Sequence, residues 1–268
     1  MDKSKMLMSS FVVGLTLLLA VAAFGIAPVM SQCPPAVEVH KTPYCLTWYP
    51  GAYPGSPDDR YSSNPIAMED GIPVYPMHTK LFWWIEITVT ANVDLKDVVV
   101  YDRLGAEFMV EGIYSDGALG KPSPDPEPEL TYTFDYGKDT EVERILPGQA
   151  VSVKDETDTV VATGTVDKGD MFRGTSGGIN FDAIRIFWTG NSCKVHFMWT
   201  IGDMAAGETE VIYLVISTDL NPGGKQEFTS PGTYFLNSGA TVKAFIEANG
   251  KLRQVSNEAE QIQIYVVE

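Results

Sequence analysis

Three polar side chains fall where an extended chain should bury apolar ones. Lys41 continues the parity of Val37 and Val39 in AVEVHK, and Asp102 continues that of Val98 and Val100 in LKDVVVYDRL. Asn237 shares parity with Phe235 in FLNSGATV. In a strand, alternate residues face one side, so an amine, a carboxyl and a carboxamide are each expected to point inward. A buried amide without a partner costs on the order of 1–3 kcal/mol, and an unpaired charge costs more. Each of the three therefore needs a companion in the interior or an escape to solvent. The simpler alternative is that Lys41 snorkels from an edge strand, Asn237 satisfies a turn and Asp102 caps the following loop.

Other chemistries find less support. A nucleophilic triad needs a base beside its nucleophile and an acid to orient it. The three histidines do not provide one: His40 is on the outward parity of its strand, His78 lies in a loop, and His196 sits among aromatics in a strand. Catalysis of that kind is not expected. With 35 acidic residues, any chosen pair of carboxylates is uninformative as a glycosidase signature. Glu86 lies on the parity of Trp84 and Thr88, which makes it a weaker candidate than Asp102 for an interior acid.

Pro124 to Glu129 and Asp167 to Asp170 are acidic clusters whose hard oxygens suit calcium, although no EF-hand spacing occurs. No other cofactor is indicated, and no close Cys/His spacing suggests a transition metal. Trp48, Tyr49, Tyr53 and Tyr61 offer flat rings that could stack on sugars, or else pack on the body of the protein or a neighbouring subunit.

The formal charge of −16 disfavours nucleic acid and anionic lipid as partners. Residues 1–31 read as an export signal: Lys3 and Lys5, an apolar run from Phe11 to Val29, and Val-Met-Ser before Gln32. The same run is long enough to remain as an N-terminal membrane anchor, the single route by which a membrane is expected to be engaged. Export places Cys33, Cys45 and Cys193 in an oxidising compartment. Cys33 and Cys45 are near enough to close a small loop, yet the odd count leaves the pairing open.

The elements that must position these groups read as strands throughout. LFWWIEITVTA and LKDVVVYDRL alternate strongly, and Asn92-Val93-Asp94 between them suggests a hairpin. Residues 43–79 carry seven prolines among aromatic residues and read as a long loop. Residues 114–129 are a Pro-rich acidic excursion, followed by strand-like pieces at 130–136, 150–155, 159–166 and 179–188 that suggest an inserted sheet or an elaborated edge. The clearest patterns are 194–202, 208–217, 233–248 and 260–267, and Asn249-Gly250 is a strong two-residue hairpin signal.

The blocks VHKT, WIEITVTANVDLKDVVVYDRL, WTIGDMAAGETEVIYLVISTD and GTYFLNSGATV, in that order, resemble the immunoglobulin-like conserved repeat domain of prokaryotic, especially archaeal, surface proteins. They cover about half of the chain after residue 31, which departs from the pattern at 43–79 and 114–190. The resemblance implies an all-β, immunoglobulin-like β-sandwich over 32–268, with a long N-terminal loop and an inserted β segment. It further implies a non-enzymatic structural or adhesive role at the cell surface or outside the cell, with partners that are copies of itself, other envelope proteins or polysaccharide. A carbohydrate-binding module is the alternative. Relatives of this repeat join a first-strand lysine to a late-strand asparagine through an isopeptide bond assisted by a carboxyl group, which by resemblance assigns those roles to Lys41, Asn237 and Asp102. The chemistry is sound: burial favours the neutral, nucleophilic amine, and an apolar site that keeps the acid protonated lets it polarise the amide carbonyl.

Overall fold

Alternating Val, Ile, Trp and Thr along most of the chain leaves one face of each segment apolar, and the segments bury that face by pairing into sheets. The computed structural model describes residues 34–45, 65–77, 82–105, 108–114, 132–137, 148–166, 178–189, 194–217 and 230–268. The signal segment, Cys33, Cys193, the four candidate ring residues Trp48, Tyr49, Tyr53 and Tyr61, and both acidic clusters lie outside these residues, as does the side chain of Cys45.

Seventeen strands form among the described residues: β1 (Val37–Cys45), β2 (Ala67–Glu69), β3 (Ile72–Pro76), β4 (Phe82–Ala91), β5 (Leu95–Arg103), β6 (Met109–Tyr114), β7 (Tyr132–Asp135), β8 (Ala150–Asp155), β9 (Val160–Thr165), β10 (Ile179–Phe181), β11 (Ile184–Thr189), β12 (Lys194–Met204), β13 (Thr209–Ser217), β14 (Gly232–Asn237), β15 (Thr241–Ala248), β16 (Lys251–Glu258) and β17 (Ile262–Val267). One sheet runs β1-β4-β13-β6-β7-β8-β9, a second β10-β11-β12-β5-β15-β16, and a third β14-β17-β3-β2. The inner faces of the first two meet in a shared core that includes Ile85, Ile87, Ile212 and Leu214 from one and Val98, Val100, Phe197 and Val242 from the other. The protein is an all-β sandwich, and no helix occurs among the described residues.

Among the described residues, the region 114–190 does not form a separate sheet. Its strands extend both layers, β7 to β9 at one edge of the first and β10 and β11 at one edge of the second. The loop reading of 43–79 needs correction at its ends. β1 continues to Cys45, and β2 and β3 form a short hairpin whose second strand pairs in parallel with β17.

The hairpin expected between β4 and β5 is also corrected, since these strands belong to different sheets. The reason lies in Asn92. Its side chain donates to Pro35 O at 2.8 Å and to Glu38 Oε1 at 2.7 Å, and its backbone N–H donates to Ala36 O. The link is thereby tied to the start of β1, and it arches across the core instead of folding back in plane. Asn249-Gly250 is a true hairpin turn: both residues have positive φ, 54° and 68°, the geometry that matches the twist of β15 and β16.

Candidate functional site: a buried lysine, aspartate and asparagine

The three inward polar groups meet. Lys41 arrives from β1 opposite Ile87 of β4, and its side chain is 1% exposed. Asp102 arrives from β5 of the second layer, one step beyond Val100. Lys41 Nζ lies 3.3 Å from Asp102 Oδ2 and 3.4 Å from Oδ1. Asn237 Nδ2 donates a short hydrogen bond to the same Oδ2. The Arg103 backbone N–H donates to Oδ1 at 2.7 Å, so both carboxyl oxygens are engaged.

Asn237 is inward for a different reason from the one its neighbours suggest. Phe235 is exposed, whereas Leu236 and Asn237 are both fully buried. Between Phe235 and Asn237 the pairing with β17 slips by one residue, and the bulge turns the amide inward. Residues 236–238, at the end of β14, also run against the end of β5. Gly105 N–H donates to Leu236 O, Ser238 N–H donates to Arg103 O, and Leu104 bridges Asn237.

The approach of these two backbones depends on Gly105, where a Cβ would lie 1.9 Å from Phe235 O. Past the site, Gly239 takes φ +96° and splits the long strand expected over 233–248 into β14 and β15, which enter different sheets. Its N–H donates to Asn237 Oδ1 at 2.9 Å. That bond fixes the carboxamide with its nitrogen on Asp102 and its oxygen on a backbone donor, which corrects the expectation that the acid would meet the carbonyl.

Electrostatics follow from burial. Desolvation lowers the Lys41 pKa from 10.5, against the opposing charge and hydrogen bond of Asp102. The amine thus gives up its proton more readily than a surface lysine. Lys41 also lines a cavity of about 580 Å³ together with Pro43, Tyr75, Trp83 and Glu260.

The remaining candidates stand apart from this cluster. Glu86 accepts from Thr88 Oγ1 at 3.3 Å on the opposite parity. His40 is exposed beside Glu38, and His196 stacks on Phe187 with ring centroids 4.9 Å apart. No group of three or more His, Cys, Asp or Glu side chains suited to a metal ion occurs among the described residues. A second buried polar contact, Ser217 Oγ donating to Glu111 Oε1, went unread in the sequence because β6 is buried along its whole length and shows no alternation.

No protein-family model matches the chain. A protein of Archaeoglobus fulgidus described as uncharacterized is 48% identical over 54 residues, which make up 20% of this chain and 19% of the relative, so the match spans less than a fifth of that relative's length. Among solved structures, the RrgA Jo.In complex overlaps 69% of this chain and 77% of its own at TM-score 0.27 and 12% identity. The pilus adhesin RrgA from Streptococcus pneumoniae overlaps 68% of this chain and 17% of its own at TM-score 0.23 and 11% identity. A family 123 glycoside hydrolase from Clostridium perfringens overlaps 87% of this chain and 27% of its own at TM-score 0.21 and 9% identity. Overlaps of this size carry no argument about function, which must come from the chain's own residues.

Proposed function

We propose that this is a non-enzymatic, exported structural protein of the cell surface or extracellular matrix, whose sandwich is locked by a self-formed bond between Lys41 and Asn237. The observation that carries the reading is a lysine buried to 1% exposure, sharing one carboxylate oxygen with an asparagine amide nitrogen. Burying a lysine, an aspartate and an asparagine together is costly for stability alone, because desolvation offsets much of what the contacts return. A covalent bond would explain why the arrangement is built.

The steps balance. One proton moved from Lys41 to Asp102 across 3.3 Å turns an ammonium and a carboxylate into an amine and an acid. The neutral Nζ attacks Asn237 Cγ, and the Gly239 N–H already on Oδ1 stabilises the oxygen as it gains charge. Asp102 Oδ2 touches both nitrogens, so the acid gives its proton to the leaving Nδ2 and the resulting carboxylate takes the one lost by Nζ. The Cγ–Nδ2 bond breaks, ammonia leaves, and an amide joins the two side chains. No cofactor is consumed.

Association with copies of itself or with other envelope proteins completes the proposal. It is supported by the exposed apolar residues Ile66 and Met68, 63% and 59% accessible, at the β2 edge of the third sheet. Two measurements test the reading. The intact mass of the reduced protein is expected to be one ammonia below its sequence mass, with a branched peptide joining Lys41 to Asn237, and Lys41→Met should restore the full mass. Electron microscopy of the purified protein should show ordered polymers. A wild-type mass equal to the sequence mass refutes the bond, and a strictly monomeric protein refutes the assembly.

A further inference from the structure

The outward face of the second sheet concentrates cations in an otherwise acidic chain. With 19 Lys and Arg against 35 Asp and Glu, a random patch should be negative. On this face the alternation of β11, β5 and β15 presents Arg185, Arg103 and Lys243, with His196 of β12 among them and Glu247 as the carboxylate further along β15. Strand register makes them neighbours: Phe187 pairs with His196, His196 with Arg103, Met198 with Tyr101, and Tyr101 with Thr241.

Two of the cations rest on rings. The Arg185 guanidinium lies 5.2 Å from the centre of Phe187, and Lys243 Nζ lies 5.3 Å from that of Tyr101. Such contacts hold the charged groups at the surface in defined places. Arg185 Nε is in addition buried with no hydrogen-bond partner.

Beside Arg103 and Lys243 runs a groove of about 520 Å³, lined by Tyr101, Arg103, His196, Ser238, Lys243 and Glu258 among others, with Arg185 outside the lining. Asp102 forms part of its wall, but that carboxyl is engaged by Lys41, Asn237 and the Arg103 backbone. Glu258 is the remaining carboxylate of the lining.

We propose that this groove binds an acidic polysaccharide through its carboxylate-bearing sugar units. A guanidinium and an ammonium lining one concave site match a carboxylate, and the Arg103 fork can hold it in bidentate fashion. Glu258 decides between classes of polyanion. A uronic acid offers several hydroxyl donors per unit to Glu258, Tyr101 and Thr241, whereas an acidic peptide offers one backbone N–H per residue. The volume falls within the range of small-ligand sites and suits about one or two sugar rings. The site stands whether or not Lys41 and Asn237 are joined.

Calorimetric titration of the full chain with a galacturonate tetramer tests this, with a neutral galactose tetramer and polyglutamate as comparators. Binding of the galacturonate should weaken as salt is raised, and the Arg103→Ala/Lys243→Ala double variant should lose at least about tenfold in affinity. Glu258→Gln should weaken the galacturonate and strengthen polyglutamate. The altered side chains are exposed, and circular dichroism of each variant should match the wild type. No measurable galacturonate binding, equal binding by the double variant, equal binding of the neutral tetramer, or a preference for polyglutamate would each overturn the proposal.

Discussion

Replacing Asp102 by Asn keeps the size and most of the hydrogen-bonding shape of the side chain while removing the group proposed to carry the proton. The bond should then fail to form, and the variant should retain the ammonia that the wild type loses. The stability at stake follows from the positions of the joined residues. A link from Lys41 to Asn237 closes a loop of roughly 200 residues, for which the chain-entropy relation used for cross-links yields about 5 kcal/mol. The altered hydrogen bonds around residue 102 add about 1–3 kcal/mol. For a domain of this size the cross-link alone corresponds to about 10–20 °C in melting temperature.

A double-mutant cycle with Lys41→Met separates the two contributions, because no bond can form in that background whatever occupies position 102. The cycle should return a coupling of about 5 kcal/mol, well above that of an ordinary hydrogen-bonded pair. Denaturant unfolding of the four reduced proteins supplies the energies, and intact-mass measurement supplies the covalent state. If Asp102→Asn costs only about 1–3 kcal/mol and leaves the mass defect untouched, the role assigned to Asp102 is wrong. An absent defect in the wild type removes the premise.

Gly105→Ala should destabilise the fold by about 3 kcal/mol or more in urea unfolding, because the new methyl group would collide with Phe235 O and push the Asn237 segment away from β5; the ammonia loss should fall with it. Asn92→Ala removes two side-chain hydrogen bonds that hold the start of β1 and should cost about 1–3 kcal/mol, with faster amide exchange along Val37–Lys41. In Asn237→Ala, Lys41 stays a free amine with a folded-state pKa below 10.5. Between that pKa and 10.5 the unfolded chain binds more protons, so stability should rise with pH across this window, and the rise should vanish in Asn237→Ala/Lys41→Met. When the chain is newly made by cell-free synthesis, the ammonia loss should lag the recovery of tryptophan fluorescence, since the three reacting groups meet only after the sheets have packed.

Much of the fold was legible because its inner faces alternate cleanly. Lys41 and Asp102 were readable as inward groups because each extends an unbroken apolar parity, Val37-Val39 in one strand and Val98-Val100 in the other. Asn237 was the right residue on an argument that fails, since Phe235, its supposed companion, faces solvent and a bulge does the turning. A register slip leaves no trace in residue types. The arch at Asn92 was misread for a related reason: Asn-x-Asp suits a hairpin equally well, and what decides is a set of hydrogen bonds to Pro35, Ala36 and Glu38, distant in sequence. β6 and β16 escaped notice from opposite causes, the first being buried throughout and the second almost wholly exposed. The cationic groove was hidden because its members are scattered over four strands, and only the register brings Arg103, His196 and Lys243 to one place.

The placement of the cluster bears on what a bond there would achieve. Lys41 belongs to the first sheet, Asp102 to the second and Asn237 to the third, so the site lies where all three layers converge. A bond within one sheet would reinforce a ladder that hydrogen bonds already hold. A bond from β1 to β14 instead joins an edge strand of the first sheet to an edge strand of the third, and the two have no shared backbone pairing. Edge strands are the elements most readily peeled away or exchanged between molecules. The proposed bond would therefore tie two edge strands together and withdraw β1 from strand exchange once formed. Assembly through β1 would have to precede the bond, whereas assembly through the β2 edge is compatible with it at any time.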